Sequence, residues 1–172
     1  MARENILLLR KDAEAQIRAH GAEAYPHECC GALLGKDDPA AGLVGDRPVR
    51  EVWSLYPLVN RRDDSPRNRF AVTSADVIDA EKAAHAAGLD VVGWYHSHPD
   101  HPARPSEFDR EHAWPWYSYI IVSVQNGKPA EMTSWRLNDD RAGYQAEAIQ
   151  LHPTAEDVKQ LRTQVDRTRA AG

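Results

Sequence analysis

Two histidines separated by a single residue, His96 and His98, end an apolar, aromatic-rich run that begins at residue 89. Side chains at positions i and i+2 of a strand point to the same face, so the two imidazoles can reach one cation. Asp109 follows after ten intervening residues and offers a carboxylate as a third ligand. Two nitrogen donors, one oxygen donor and an open fourth position are the usual pattern of a catalytic zinc site, whereas structural zinc sites more often use cysteines. The spacing therefore predicts a zinc site with these three residues as its ligands.

Two further polar residues are candidates for chemistry at such a site. Glu28 directly precedes a core-like segment at residues 29–34, where a charged side chain is costly unless it faces a polar site. The alternative for Glu28 is an exposed carboxylate that caps the preceding turn. Ser106, three residues before Asp109, could donate a hydrogen bond beside the metal or act only as the N-cap of a short helix. Ser97 faces away from the two histidines and is expected to make a structural hydrogen bond.

The five candidate residues together resemble the signature of the JAMM (MPN-type) metalloproteases. That signature is a Glu followed far downstream by His, Ser or Thr, and His, then by seven residues, a Ser, two residues and an Asp. Glu28 and residues 96–109 match it with no departure in spacing, and residues 26–35 match the family's sequence around the Glu. The resemblance covers residues 6–137 of this chain.

The resemblance implies a zinc-dependent peptidase in which His96, His98 and Asp109 hold the metal. Zinc lowers the pKa of a bound water toward neutrality, and that water would be the nucleophile. Glu28 would be the general base that takes a proton from the water and returns it to the leaving amine. Ser106 would polarise the substrate carbonyl as an oxyanion donor.

The family's substrates are amide bonds at the C-terminal tail of ubiquitin or ubiquitin-like proteins. The compact chain and its residues 60–72 are most similar to prokaryotic peptidases that act on sulfur-carrier proteins, which implies a carrier with a Gly-Gly tail as the substrate. A site at the end of the strand at residues 89–98 could hold such a tail by strand addition. Loops at residues 59–69 and 99–105 would line the groove, and the glycines of the tail would pass close to the metal. The alternatives are a deubiquitinase-like enzyme, a zinc hydrolase of another small amide or peptide, and a non-catalytic MPN-type scaffold.

Other histidines and one other acid are weaker candidates for the site. His101 lies in a proline-rich loop and is expected at the rim. His112 shares a helix face with Asp109 and could be an alternative ligand. His27 should point away from the site, and Asp100 matches Asp109 in type but lies just beyond the histidine pair.

Length and composition favour one modest enzyme domain. The chain has 172 residues, 42% of them hydrophobic, which suits a domain over residues 1–152 and a helical tail over residues 153–172. A net charge of −5 argues against a nucleic-acid partner. The apolar runs are too short for a membrane partner, so the cytoplasm is the expected location. Cys29 and Cys30 are expected to pack as small apolar residues without a disulfide, and the tail's apolar stripe could serve helix docking or a homodimer contact.

Hydrophobic periodicity and turn residues predict the elements that would position this site. Helices are predicted over residues 10–20 with Gly21 as the stop, from a capping box at Thr73 and Asp76 to Gly88, and from Ser106 to Pro115. Strands are predicted over residues 29–35, 50–56, 89–98, 117–124 and 131–137, with an additional edge strand over residues 143–151. This order favours an α/β (α+β) fold with a mixed central β-sheet flanked by helices. The resemblance implies the MPN/JAMM-like, cytidine-deaminase-like version of that architecture.

Overall fold

The structure is a computed structural model that describes residues 4–37, 49–59 and 72–152. Within these ranges, three helices and seven strands follow one another along the chain. The helices are α1 (Lys11–Ala24), α2 (Ser74–Ala86) and α3 (Glu107–His112). The strands are β1 (Ile6–Arg10), β2 (Cys30–Asp37), β3 (Val49–Leu58), β4 (Asp90–Pro99), β5 (Ser118–Gln125), β6 (Lys128–Leu137) and β7 (Tyr144–His152).

Several features singled out in the sequence lie wholly or largely outside the described residues. These are the loop at residues 59–69, the stretch at residues 60–72 and the tail at residues 153–172 with its apolar stripe. The division into a domain and a tail, and the homodimer contact, therefore stay predictions.

The seven strands form one mixed sheet in the order β1-β3-β2-β4-β5-β6-β7. The sheet closes on itself because β1 pairs in parallel with β7, with Ile6 opposite Ala148, as well as with β3. The predicted mixed sheet flanked by helices is confirmed. Two local predictions are wrong: residues 6–10 form a strand where the sequence predicts none, and β7 is paired on both sides instead of lying at an edge.

Helix α1 lies against one face of the sheet, where Ile17 belongs to a buried cluster with Tyr95 of β4. The prediction that Gly21 ends this helix is wrong, because the helix continues to Ala24. A Cβ at Gly21 would lie 3.0 Å from Val124 Cγ2, so the glycine lets the helix approach β5 closely. The glycine at position 21 is therefore explained by close packing of the helix against the sheet and not by the end of the helix.

Helix α2 covers the opposite face of the sheet, where Ala80 and Ala84 pack with Trp94 of β4. Trp94 and Tyr95 are adjacent on β4, so their side chains point to opposite faces of the sheet. The predicted capping box of α2 is confirmed, because the Thr73 hydroxyl accepts a hydrogen bond from the Asp76 N–H at 3.2 Å. The metal-ligand candidates of β4 thus lie in a strand that is packed on both faces.

Two predictions from composition concern the cysteines and the membrane. Cys29 and Cys30 are both buried and free, as predicted, and burial raises the pKa of the Cys29 thiol to about 11. Among the described residues, no helix combines the length and the apolar character needed to cross a membrane.

Candidate metal centre

Strand β4 presents the two predicted histidine ligands from the middle of the sheet. His96 and His98 lie two residues apart and share a face, and their Nε2 atoms are 3.1 Å apart. Ser97 points the other way, and its hydroxyl accepts a hydrogen bond from the Cys29 N–H at 2.8 Å. The predicted structural hydrogen bond of Ser97 is confirmed, and it ties the ligand-bearing strand to the residue that precedes β2.

Asp109 reaches the same point from α3. Its two carboxylate oxygens lie 3.2 Å from His96 Nε2 and 3.1 Å from His98 Nε2. The Ser106 N–H donates to the Oδ2 atom of Asp109 at 2.8 Å, because Asp109 is the third residue of α3 and closes a capping box with Ser106. The helix cap therefore orients the carboxylate toward the two imidazoles.

The ring of His98 is held by its other nitrogen. Its Nδ1 lies 2.8 Å from the Pro102 carbonyl oxygen, which can only accept a hydrogen bond. The proton of the neutral ring is therefore on Nδ1, and Nε2 keeps its lone pair. The loop that supplies this carbonyl is anchored to β6, because the Thr133 hydroxyl donates to the Ala103 carbonyl at 2.6 Å.

The three side chains fit a small divalent cation. His96, His98 and Asp109 each offer one ligand atom, and these atoms all lie within 4.8 Å of one another. Tetrahedral ligands at ordinary zinc bond lengths are about 3.3 Å apart, close to the 3.1 Å and 3.2 Å found between the imidazole nitrogens and the carboxylate. Three electron-rich atoms that converge in this way need a positive charge between them, which a metal ion supplies in exchange for protons.

The protonation of the cluster reflects the same convergence. Burial lowers the pKa of His96, but the charge and hydrogen bond of Asp109 and the charge of Glu28 raise it more, to about 8. Burial raises the pKa of Asp109, but the two imidazoles and a backbone hydrogen bond lower it by more. The net effect holds the pKa of this carboxyl well below its usual range. The carboxylate is therefore ionised at neutral pH, as a metal ligand has to be.

Glu28 lies beside the cluster, two residues before β2 begins. Cys30 pairs with His96 across the antiparallel ladder, and continuing this register puts Glu28 opposite His98 on the same face of the sheet. Glu28 is only 6% exposed, and its charge is among those that raise the pKa of His96. The alternative of an exposed carboxylate that caps a turn is therefore wrong.

The N-cap role predicted for Ser106 is confirmed, and its role as an oxyanion donor stays a prediction. Its oxygen accepts a hydrogen bond from the Asp109 N–H at 3.1 Å, which is the N-cap bond of α3. A hydroxyl has two lone pairs and one proton. The capping bond uses a lone pair, so it leaves the proton available to a substrate carbonyl.

The other candidate residues do not join the cluster. His27, His101 and His112 are exposed, and the Nδ1 of His112 donates to a carbonyl of its own helix at 2.8 Å. Asp100 accepts a hydrogen bond from the Tyr25 hydroxyl at 2.7 Å. Helix α3 ends at His112, before the proline that was predicted to end it.

A cleft of about 960 Å³ opens beside the cluster and has His96 and Asp109 in its wall. The rest of the wall is largely apolar and comes from β4, the start of α2 and the segment around and after α3. Its large apolar side chains include Val72, Ile78, Trp94, Phe108, Trp114, Trp116 and Tyr117. Sequence reasoning missed these residues, although two signals were present: Trp94 shares the strand face of His96, and residues 114–117 read Trp-Pro-Trp-Tyr.

The cleft offers a substrate tail more room than β4 does. β4 is hydrogen-bonded to β2 on one side, up to the pair of His96 with Cys30, and to β5 on the other, up to the pair of Pro99 with Val124. Both edges of β4 are therefore paired over residues 93–96, where no strand can be added, and the predicted addition of a tail at the end of this strand stays a prediction.

The chain is similar to a family model, to named proteins and to solved structures. A family model described as prokaryotic homologs of the JAB domain matches residues 10–138. The chain is 35% identical over 122 residues to a desampylase of Haloferax volcanii, covering 68% of this chain and 80% of that protein. It is 30% identical over 135 residues to a CysO-cysteine peptidase of Mycobacterium bovis, covering 78% of this chain and 84% of that protein. A solution structure of a Desulfitobacterium hafniense protein superposes with a TM-score of 0.71 at 33% identity, covering 88% of this chain and 95% of that one.

Proposed function

Because the chain belongs to the family of prokaryotic homologs of the JAB domain, the prokaryotic JAMM group that its motif predicts, we propose that it is a zinc-dependent peptidase. Its substrate is the amide bond that follows the C-terminal Gly-Gly of a ubiquitin-like or sulfur-carrier protein. The observation that carries the proposal is the convergence of His96, His98 and Asp109 at 3.1 Å to 3.2 Å, with the buried Glu28 beside them. A zinc hydrolase needs an open cation site and a basic group that is not a ligand. The cluster borders the cleft through His96 and Asp109, and Glu28 is the basic group on the same face of the sheet.

The roles of the residues follow from their donors and charges. His96, His98 and Asp109 would hold the zinc, which would lower the pKa of a water and polarise the substrate carbonyl. Glu28 accepts a proton from the attacking water and delivers it to the amide nitrogen as the C–N bond breaks. Ser106 donates its free proton to the carbonyl oxygen as negative charge develops there. The products are a carboxylate on the terminal glycine and a free amine, so one water is consumed for each bond cleaved.

The choice of substrate is supported by the relatives and by the shape of the cleft. The desampylase and the CysO-cysteine peptidase bear names that refer to protein modifiers or their conjugates. The cleft, about 960 Å³ in volume, leads to the metal cluster and is large enough for several residues of an extended chain. Glycines next to the scissile bond let the substrate backbone approach the histidines without a side-chain clash.

The proposal is tested with a zinc-loaded protein and small sulfur-carrier proteins that bear an extension after Gly-Gly. Mass spectrometry is expected to show release of the extension, and a zinc chelator is expected to block the release until zinc is restored. Cleavage of an unrelated small amide without cleavage of any carrier would contradict the substrate. No turnover of carriers or amides by the zinc-loaded protein would instead indicate a non-catalytic scaffold.

A further inference from the structure

Arg50 of β3 is fully buried and connects several parts of the fold. Its Nε donates to the Asp37 carboxylate at 3.1 Å. Its Nη1 donates to the Val92 carbonyl at 3.0 Å, to the Trp116 carbonyl at 2.6 Å and to the Ser118 hydroxyl at 3.0 Å. Because a buried charge is tolerated only where such contacts replace its hydration, Arg50 fixes the turn that carries Trp116 relative to β4 and β5.

Trp116 has a backbone conformation that is rare for its residue type. Its φ is +84°, in a turn that includes Pro115. Proline followed by a residue with positive φ is the pattern of a type II turn, in which the second of these positions favours glycine. A bulky aromatic residue is strained there, and the Trp116 side chain is not buried in the core, because the residue is 49% exposed. Backbone geometry alone therefore does not account for a tryptophan at this position.

Arg50 holds Trp116 at two points. Besides the hydrogen bond to its carbonyl, the guanidinium carbon of Arg50 lies 4.3 Å from the centre of the Trp116 ring, within the range of a cation–π contact. The Nη2 atom of Arg50 makes no hydrogen bond to any described residue, and the electron-rich ring face compensates the buried charge. Arg50 thus stabilises both the strained backbone and the orientation of the ring.

The Trp116 ring begins an aromatic row that leads toward the metal cluster. Its centre is 5.4 Å from the ring of Tyr117, which in turn is 6.2 Å from the ring of Trp94. All three rings line the cleft, and Trp94 shares the strand face of His96. Two ring-to-ring steps therefore separate Trp116 from Trp94, which itself lies two residues before His96. Trp116 thus lies at the end of this row that is away from the ligands.

We propose that Trp116 is a specificity-determining residue for the substrate tail and that Arg50 is the positioning residue that holds it in the wall of the cleft. The inference rests on the proposed function, because it assigns a contact to the substrate of that same site. Trp116 contacts an apolar part of the carrier tail that precedes the Gly-Gly at the scissile bond. Arg50 does not touch the substrate and acts through Trp116 alone.

The test compares Trp116→Gly, Arg50→Met and the double variant, all loaded with zinc, on two substrates. One substrate is a carrier protein with an extension after Gly-Gly, and the other is a Gly-Gly fluorogenic amide too short to reach Trp116. Each single variant is expected to raise KM for the carrier about tenfold with kcat unchanged, on the scale of one lost aromatic contact. The double variant is expected to be no worse than either single one, because both changes remove the same contact. Kinetics on the short amide should not change.

Two controls separate this role from a merely structural one. Trp116→Phe and Arg50→Lys should recover part of the KM for the carrier, because one variant keeps an aromatic ring and the other a positive charge at the same position. Trp53 is a matched control, since it is 45% exposed and has Arg10 at 5.8 Å from its ring but does not line the cleft. Trp53→Ala should leave KM for the carrier unchanged.

The outcomes distinguish the inference from the proposed function. Carrier affinity is also measured by titration with the cleaved, Gly-Gly-ended carrier, so that binding is observed without turnover. Tenfold weaker binding by both variants, in a protein that cleaves nothing, would support the inference and contradict the proposed function. Three results would overturn the inference. These are unchanged KM and carrier affinity in the single variants, additive losses in the double variant, and an equal loss of activity on the short amide. A wild-type protein that neither binds nor cleaves the carrier would overturn both.

Discussion

One carboxylate oxygen of Asp109 serves two partners. The Oδ2 atom lies 2.8 Å from the Ser106 nitrogen and 3.1 Å from His98 Nε2. The backbone hydrogen bond fixes the rotamer of the ligand before any metal binds, and the Pro102 carbonyl fixes His98 in the same way. The proposed metal site would therefore owe part of its affinity to groups that do not touch the metal.

The ligand assignment predicts the metal content of single variants. His98→Ala is expected to lose most of the bound zinc, because two ligands rarely hold zinc without the third. His112→Ala should keep one zinc per chain, since that side chain is exposed and bonded within its own helix. Metal analysis of the purified proteins measures both. Full zinc in the His98 variant together with loss in the His112 variant would show that the ligand set is wrong.

The role of Glu28 is separable from that of the ligands. Glu28→Gln keeps the shape of the side chain and removes its basicity, so the variant should retain zinc while its kcat falls by at least about a hundredfold. Zinc content and carrier cleavage are measured on the same preparation. Loss of zinc would make Glu28 a ligand, and near-normal turnover would mean that another group takes the proton.

At the scale of the helix, the Ser-x-x-Asp spacing of the motif is also a capping box. The same box occurs at the start of α2 with Thr73 and Asp76, where the acidic residue belongs to no metal cluster among the described residues. The two boxes therefore provide a matched pair in which the capping role is shared and the metal role is not.

Ser106→Ala and Thr73→Ala should each lower the free energy of unfolding by about 1 kcal/mol, the usual effect of losing an N-cap. Only Ser106→Ala should weaken zinc binding, because loss of this hydroxyl cap loosens the first turn of the helix that carries Asp109, although the Ser106 N–H still donates to the carboxylate. Denaturant unfolding of the metal-free proteins and zinc titration measure the two effects. Equal zinc affinity in both variants would mean that the Ser106 hydroxyl does not help to position Asp109 and that the backbone hydrogen bond to its carboxylate is sufficient.

At the scale of the whole molecule, local patterns were predictable and long-range pairing was not. The capping boxes, most strand positions and the convergence of His96, His98 and Asp109 follow from spacings within about 15 residues of sequence. The pairing of β1 with β7 joins distant segments, and no local pattern distinguishes a strand that closes a sheet from one at its edge. Arg50 is equally hidden, because its burial depends on Val92, Trp116 and other partners far along the chain.

The parallel pairing of β1 with β7 also sets the order in which the protein can be completed on the ribosome. β1 reads Ile-Leu-Leu-Leu-Arg and is made first, yet the strand that covers one of its edges is the last of the described strands to be made. Until then the nascent chain carries an apolar strand with an unsatisfied edge, which is a template for aggregation. Pairing of such distant segments is also slow. Helix α1 follows β1 directly and packs in one buried cluster with Leu7 and Leu9, so it is the element placed to shield β1 until β7 emerges.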